Sequence, residues 1–187
     1  MIKVLEGVIE RGVALLRGLV TCTSLSRRRP MRLLVLSLAI GVMAACHGSD
    51  PPPDADEALA CMAAMRGDIY TAGLERPGIG GLLHFTLVSA DPAPPARNLN
   101  TWVVQINSLA AGVVGAPATG AVMTVTPFMP DHQHGAGLTV QVQEMATAGQ
   151  YQLSQINTWM PGYWEITIDA QVGGVHDSAV FRFCIQA

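Results

Sequence analysis

Lysine is almost missing from this chain: there is one, Lys3, in 187 residues. Charge of either sign is scarce at 13%, and aromatics make up 5%. The positive charge is also unevenly placed. Residues 1–45 carry Lys3 and six arginines against Glu6 and Glu10, whereas residues 46–187 carry four arginines against twelve acids. The two parts are thus +5 and −8, which make up the chain's −3. A segment at −8 has no basic stripe to neutralise phosphates, which argues against nucleic acid as a partner. No apolar run reaches the roughly 20 residues of a comfortable membrane span. Gly-x-Ser-x-Gly, Walker and His-Glu-x-x-His patterns are all absent, and no carboxylates pair at a useful separation, so nothing marks the chain as an enzyme.

The N-terminal region is an address rather than a fold. An apolar-basic stretch, Val4 to Val20, closes in Arg27-Arg28-Arg29-Pro30, after which a second beginning appears at Met31-Arg32. The apolar run Leu33 to Ala45 and Cys46 follow, the layout of a secretory signal with a short basic region before its hydrophobic core. Met43-Ala-Ala-Cys46 resembles a bacterial lipobox, with Met in place of the usual Leu at its first position, and marks Cys46 for lipidation. Met31 is then the natural start, with residues 1–45 an extension plus signal; an uncleaved N-terminal anchor is the other reading. The charge asymmetry fits export with the basic end left in the cytoplasm. The expected address is the bacterial cell envelope, lipid-anchored, facing the periplasm or outer membrane.

Cysteine is also sparse. Of the four, Cys22 falls before the cut and Cys46 is the lipid candidate, leaving Cys61 and Cys184. In an exported protein such a pair points to a disulfide. A metal pair is the alternative, but neither has a second thiol or a histidine nearby in sequence. Residues 46–66 read as a Pro-rich tether (His47 to Asp56) and a helical turn around Cys61, and residues 67–187 as the folded domain.

In that domain short apolar-alternating runs recur between Gly, Pro and Asn at intervals near ten residues, the rhythm of a sandwich or barrel. Seven strands are expected: 82–89, 101–107, 121–126, 138–143, 150–155, 164–170 and 179–183. Trp102, Val104 and Ile106 share one face, as do Leu138, Val140 and Val142, then Trp164, Ile166, Ile168 and Ala170, then Ala179, Phe181 and Phe183. Strands apolar on one side only build antiparallel sheets, and an immunoglobulin-like all-β sandwich is the natural architecture.

Two stretches stand out within it, Phe128-Met-Pro-Asp-His-Gln-His-Gly135 and its echo Trp159-Met-Pro-Gly-Tyr-Trp-Glu165. Thioether and imidazole together suit copper, above all Cu(I), better than calcium or magnesium. If the segment is extended, His132 and His134 point the same way, Met129 reaches in from the preceding turn, and Met160 joins from a connection at the same end. Asp131 can then orient one imidazole. The competing reading is structural: a polar turn with Gly135 at a positive φ, and Met129 and Met160 as core fillers. His84 and His176 read as a core or solvated histidine, and Trp102, Trp159 and Trp164 as packing aromatics.

Asn100-x-Trp102, Gly115-Ala-Pro-Ala-Thr-Gly120, Met129-Pro-Asp-His-x-His-Gly135, Gly149-x-Tyr151 and Met160-Pro-Gly-Tyr-Trp-Glu165 together resemble the YtkA-like domain, related to the FixH-like proteins. The resemblance runs from about Gly80 to Phe183. It implies an exported immunoglobulin-like sandwich, often a lipoprotein. FixH-like relatives are linked to assembly of haem–copper oxidases and to cation transport. Carried over, it singles out Met129, His132, His134 and Met160 as the positions at stake for copper. The expected function is then a lipid-anchored periplasmic copper-binding protein that delivers the ion to a copper-accepting protein partner. The chain departs from the FixH pattern in having a lipid-type signal where a membrane helix is retained. A metal-free structural or interaction lipoprotein is the alternative function.

Overall fold

The structure, a computed structural model, describes residues 53–187. The expected signal (1–45), the lipidation site Cys46 and the first part of the tether lie outside the described residues. One helix, α1 (Pro53–Ala63), precedes ten strands: β1 (Leu74–Pro77), β2 (Leu83–Asp91), β3 (Asn98–Ala110), β4 (Val113–Pro117), β5 (Val122–Met129), β6 (His134–Gly135), β7 (Gln141–Glu144), β8 (Gln150–Thr158), β9 (Gly162–Val172) and β10 (Val175–Ile185). Every pairing is antiparallel. One sheet runs β1-β2-β3-β8-β7 with β4 also on β3, and the other runs β10-β9-β5-β6. This is the all-β, immunoglobulin-like sandwich that the alternation predicts.

The alternation works because each sheet turns one face to the other. Phe85, Leu87, Trp102, Val104, Ile106, Tyr151 and Leu153 from one sheet meet Trp164, Ile166, Ile168, Phe181 and Phe183 from the other, all in one buried cluster. Trp102 stands edge-on to Phe181 and Phe183, with ring centroids 6.1 and 5.5 Å away, a favoured aromatic geometry.

All seven expected strands have counterparts, and the three additional ones are short or exposed. Every residue of β4 is exposed, so it carried no pattern to read. The expectation for 138–143 needs correction. Its strand begins at Gln141, and Leu138 is 48% exposed rather than inward. Gly137 takes a left-handed φ of 71°, which turns the chain before pairing resumes. The helical turn around Cys61 is a full helix of 11 residues that takes in Pro53 to Asp56, assigned above to the tether. Proline suits the first helical position, where its missing N–H has no partner anyway, and Asp56 and Glu57 near the N-terminus complement the helix dipole. The helix closes when the N–H groups of Met65 and Arg66 donate to the carbonyls of Met62 and Cys61, with Met65 left-handed at φ 50°, a Schellman ending.

Two polar groups staple the sandwich. Asp177 is buried, and its carboxylate accepts from the backbone N–H groups of Gly80, Leu82, Leu83 and Ser178. Buried Asn100 accepts from Ala96 N–H and donates to the carbonyls of Ala96 and Asn98 and to Thr158 Oγ1, fixing the Pro-rich connection beside β3. Cys61 and Cys184 form the expected disulfide, with Cα atoms 5.7 Å apart across 123 residues of sequence. It ties α1 to β10.

Candidate functional site

Pro130 lacks an N–H and ends β5 at Met129. Residues 130–133 then turn the chain back, with His132 N–H donating to Met129 O at 3.2 Å, Gln133 left-handed at φ 56° and its side chain donating to Pro130 O. The return strand β6 holds two residues and sets His134 opposite Met129. Directly opposed residues project to the same side of a sheet. Met129 is accordingly at 0% exposure inside the core, with the His134 imidazole beside it.

The His134 ring stacks on Trp159, centroids 5.3 Å apart and planes at 23°, and meets the Trp164 ring edge-on at 6.0 Å. Its Nδ1 lies 3.1 Å from the Gly135 carbonyl oxygen. A carbonyl only accepts, so this contact assigns the proton to Nδ1 and leaves Nε2 as a bare lone pair in the neutral ring. That Nε2 atom is buried without any hydrogen-bond partner.

His132 lies outside this pair, its ring 5.8 Å from that of His134. The two come together through the turn and not, as extended backbone would have it, through a shared strand face. The carboxylate on His132 is Glu57 of α1, whose Oε2 is 2.8 Å from Nε2. Asp131, expected to orient an imidazole, is instead held bidentate by Arg66 at 2.6 and 2.8 Å. That hydrogen bond holds the Asp131 carboxyl below its usual range, and the Arg66 guanidinium also lies 4.1 Å over the Tyr163 ring. A guanidinium offers a carboxylate two parallel donors and an imidazole one, so Arg66 takes Asp131.

Met160 sits in the connection between β8 and β9, half-buried against the core. Its carbonyl accepts from Trp164 Nε1 at 2.9 Å. Met129 is therefore not on an exposed rim. Met129 is interior, His134 half-buried beside it, His132 outer, and Met160 in the adjoining connection next to Trp159. The two loops do lie at the same end, because β5 pairs with β9 and sets Phe128 opposite Glu165, and the Trp159–His134 stack joins them. Among the described residues no group of three or more His, Cys, Asp and Glu side chains could hold a metal, so any ion here would depend on thioether donors.

Glu57 is the member that sequence reading missed. Its signal was available: it stands four residues before Cys61, one helical turn along the same face. Cys184 pairs with Tyr163, next to Gly162, across β9 and β10. The disulfide thus delivers Glu57 to Gly162, where a Cβ would stand 2.5 Å from Met129 Cε and 3.3 Å from Glu57 Oε2.

The other described histidines, His84 and His176, fit the reading given to them. His84 is buried on β2 with Nε2 3.8 Å from Glu75, and His176 is exposed near Asp169. A half-open cavity of about 900 Å³, lined by Met62, Met65, Tyr70, Pro94 and Phe183 among others, contains none of the histidines. It is mainly apolar, and none of Glu57, Met129, His132, His134 and Met160 lines it. No family model, curated protein or solved structure matches this chain, so the reading of the site rests on its own geometry.

Proposed function

We propose that the chain is an exported, lipid-anchored binding protein of the bacterial cell envelope. In this reading it holds copper at the Met129–His134 end of its sandwich and passes it to a protein acceptor. The observation that carries the proposal is the buried, unpartnered Nε2 of His134. A buried acceptor left without a donor costs about 1–3 kcal/mol, and a bound electrophile removes that cost. The surroundings select the ion: a thioether lies across the strand, indole rings flank the imidazole, and both the Met129 side chain and His134 Nε2 are buried. Such a soft, sheltered donor set favours Cu(I). Met129 and His134 would form the inner pair, with His132 and Met160 as outer donors facing the route to an acceptor. The Cys61–Cys184 disulfide supports an oxidising compartment, and the lipobox-like Met43-Ala-Ala-Cys46 supports the anchor at Cys46.

The alternative, a metal-free structural or interaction module, draws on one specific observation: the complete burial of Met129 in the core cluster. Titration of the full chain in detergent with Cu(I), against a chromophoric chelator, separates the two. Copper binding predicts one ion per chain and a loss of affinity of tenfold or more in His134→Ala. Equal chelator competition by wild type and His134→Ala would leave only the metal-free module.

A further inference from the structure

We infer that Glu57 is the positioning residue of this site and that the Cys61–Cys184 disulfide makes the site competent by holding Glu57 in place. The inference rests on the copper reading above and deepens it. Glu57 accepts from His132 Nε2–H at 2.8 Å, and an ionised carboxylate can only accept. The proton is thereby kept on Nε2, and Nδ1 of His132 becomes the free nitrogen. Gly135 O does the converse for His134, where Nδ1 is engaged and Nε2 is free. Each imidazole thus has one nitrogen committed to an oxygen and one left for an ion, the arrangement in which an outer carboxylate orients a metal-binding histidine and raises its basicity.

Apart from the disulfide, the turn of α1 that carries Glu57 has few holds, since the Arg66–Asp131 pair and the Arg66 guanidinium over Tyr163 act beyond the far end of the helix. Among the described residues of α1 only Ala58 and Cys61 are buried. A helix of 11 residues is marginal by itself in water. Cys61 is covalently joined to Cys184, and Asp68, just beyond the helix, bonds Arg182 through N–H and carboxylate. Without the disulfide α1 stays tied chiefly past its C-terminal end, through Arg66 and Asp68, the turn that carries Glu57 is free to leave, and His132 loses the carboxylate that holds its Nε2 proton. The site is then assembled only in the oxidised chain, that is, after export. A reduced copy in the cytoplasm carries the same four candidate ligands without their alignment.

The test is Cu(I) affinity of the full chain in detergent for wild type, Glu57→Ala, Glu57→Gln, Cys61→Ser/Cys184→Ser and the triple variant. Serine replacements avoid free thiols, which would bind Cu(I) themselves. Glu57→Ala and the double serine variant are each expected to bind about 10–100-fold more weakly, as loss of an outer-shell partner does. The triple variant should be no weaker than either, since both act through one contact. Glu57→Gln should recover part of the loss because its amide oxygen still accepts, and nitrogen NMR should find the His132 Nε2 proton resolved and protected from solvent exchange in wild type and lost to exchange in Glu57→Ala. Additive losses, or a Glu57→Ala variant with wild-type affinity and Nε2 proton protection, overturn the inference. Should the double serine variant fail to fold, the two Glu57 variants and the His132 Nε2 proton decide alone. Absence of Cu(I) binding by wild type would instead sink the copper reading and this inference with it.

Discussion

Gly162 passes so close to Met129 that a Cβ on the glycine would stand 2.5 Å from the methionine's terminal methyl. Gly162 also adopts φ 120°, a conformation side-chain-bearing residues avoid. The Met-Pro-Gly step after Trp159 is therefore what lets β9 start directly against the end of β5. Gly162→Ala is expected to lower stability by about 1–3 kcal/mol, the usual cost of such a backbone position in a residue with a Cβ. It should also shift the Met129 methyl resonance in a carbon-edited NMR spectrum. An unmoved Met129 signal would show that the two residues are not in contact.

In the copper reading Met129 both packs the core and binds the ion, and a single substitution can separate the two. Met129→Leu nearly conserves volume and should cost less than about 1.5 kcal/mol in urea unfolding. It removes the thioether, so Cu(I) affinity should fall by tenfold or more if the sulfur is a ligand. A variant that is both stable and unchanged in affinity would assign Met129 to packing alone.

Asp177 should dominate acid sensitivity. Burial by itself would raise its pKa, but the N–H donors of Leu83, Gly80, Leu82 and Ser178 outweigh it and hold the carboxyl below its ordinary 3.8. A depressed folded-state value means the stabilisation is fully present above the unfolded pKa and is lost as pH falls below about 4 through the folded one. Asp177→Ala leaves those donors without a partner and is expected to cost 3 kcal/mol or more, at about 1–3 kcal/mol for each unmet buried group. Thermal melts from pH 7 down to pH 2 should show a shallower acid-side fall in Tm for the variant than for wild type. Parallel acid limbs would exclude Asp177 as the responsible group.

The disulfide closes a loop of more than a hundred residues. The chain-entropy relation gives it about 5 kcal/mol, less any strain in the folded state. Urea unfolding of Cys61→Ser/Cys184→Ser should reveal a loss of that order, with near-UV signals from Trp102 and Trp164 retained under native conditions. A loss below 1 kcal/mol would place the stability of the sandwich in its apolar core alone.

Cys46 offers a test of the address. Cys46→Ser should move the protein from the membrane fraction to the soluble exported fraction without changing its unfolding midpoint. Continued membrane association of the serine variant would favour the uncleaved anchor.

Much of the fold was legible because it is local. Period-two alternation at Trp102–Ile106, Trp164–Ala170 and Ala179–Phe183 states which side of each strand is apolar, and hydrophobic burial then leaves one way to assemble them. The failures are equally physical. Leu138 follows Gly137, whose left-handed backbone breaks the phase of the alternation. The β4 strand has no buried face to announce it.

The candidate site divides along the same line. Sequence alone singled out the candidate donors, Met129, His132, His134 and Met160, and joined Cys61 to Cys184 by elimination, since composition and motif spacing are properties of the chain itself. Tertiary structure decided their use. It turned Met129 into the core through its register with His134, gave Asp131 to Arg66, and brought Glu57 to His132 from 75 residues away. Which carboxylate meets which imidazole depends on where a disulfide-pinned helix lies against two strands, and no local pattern encodes that placement.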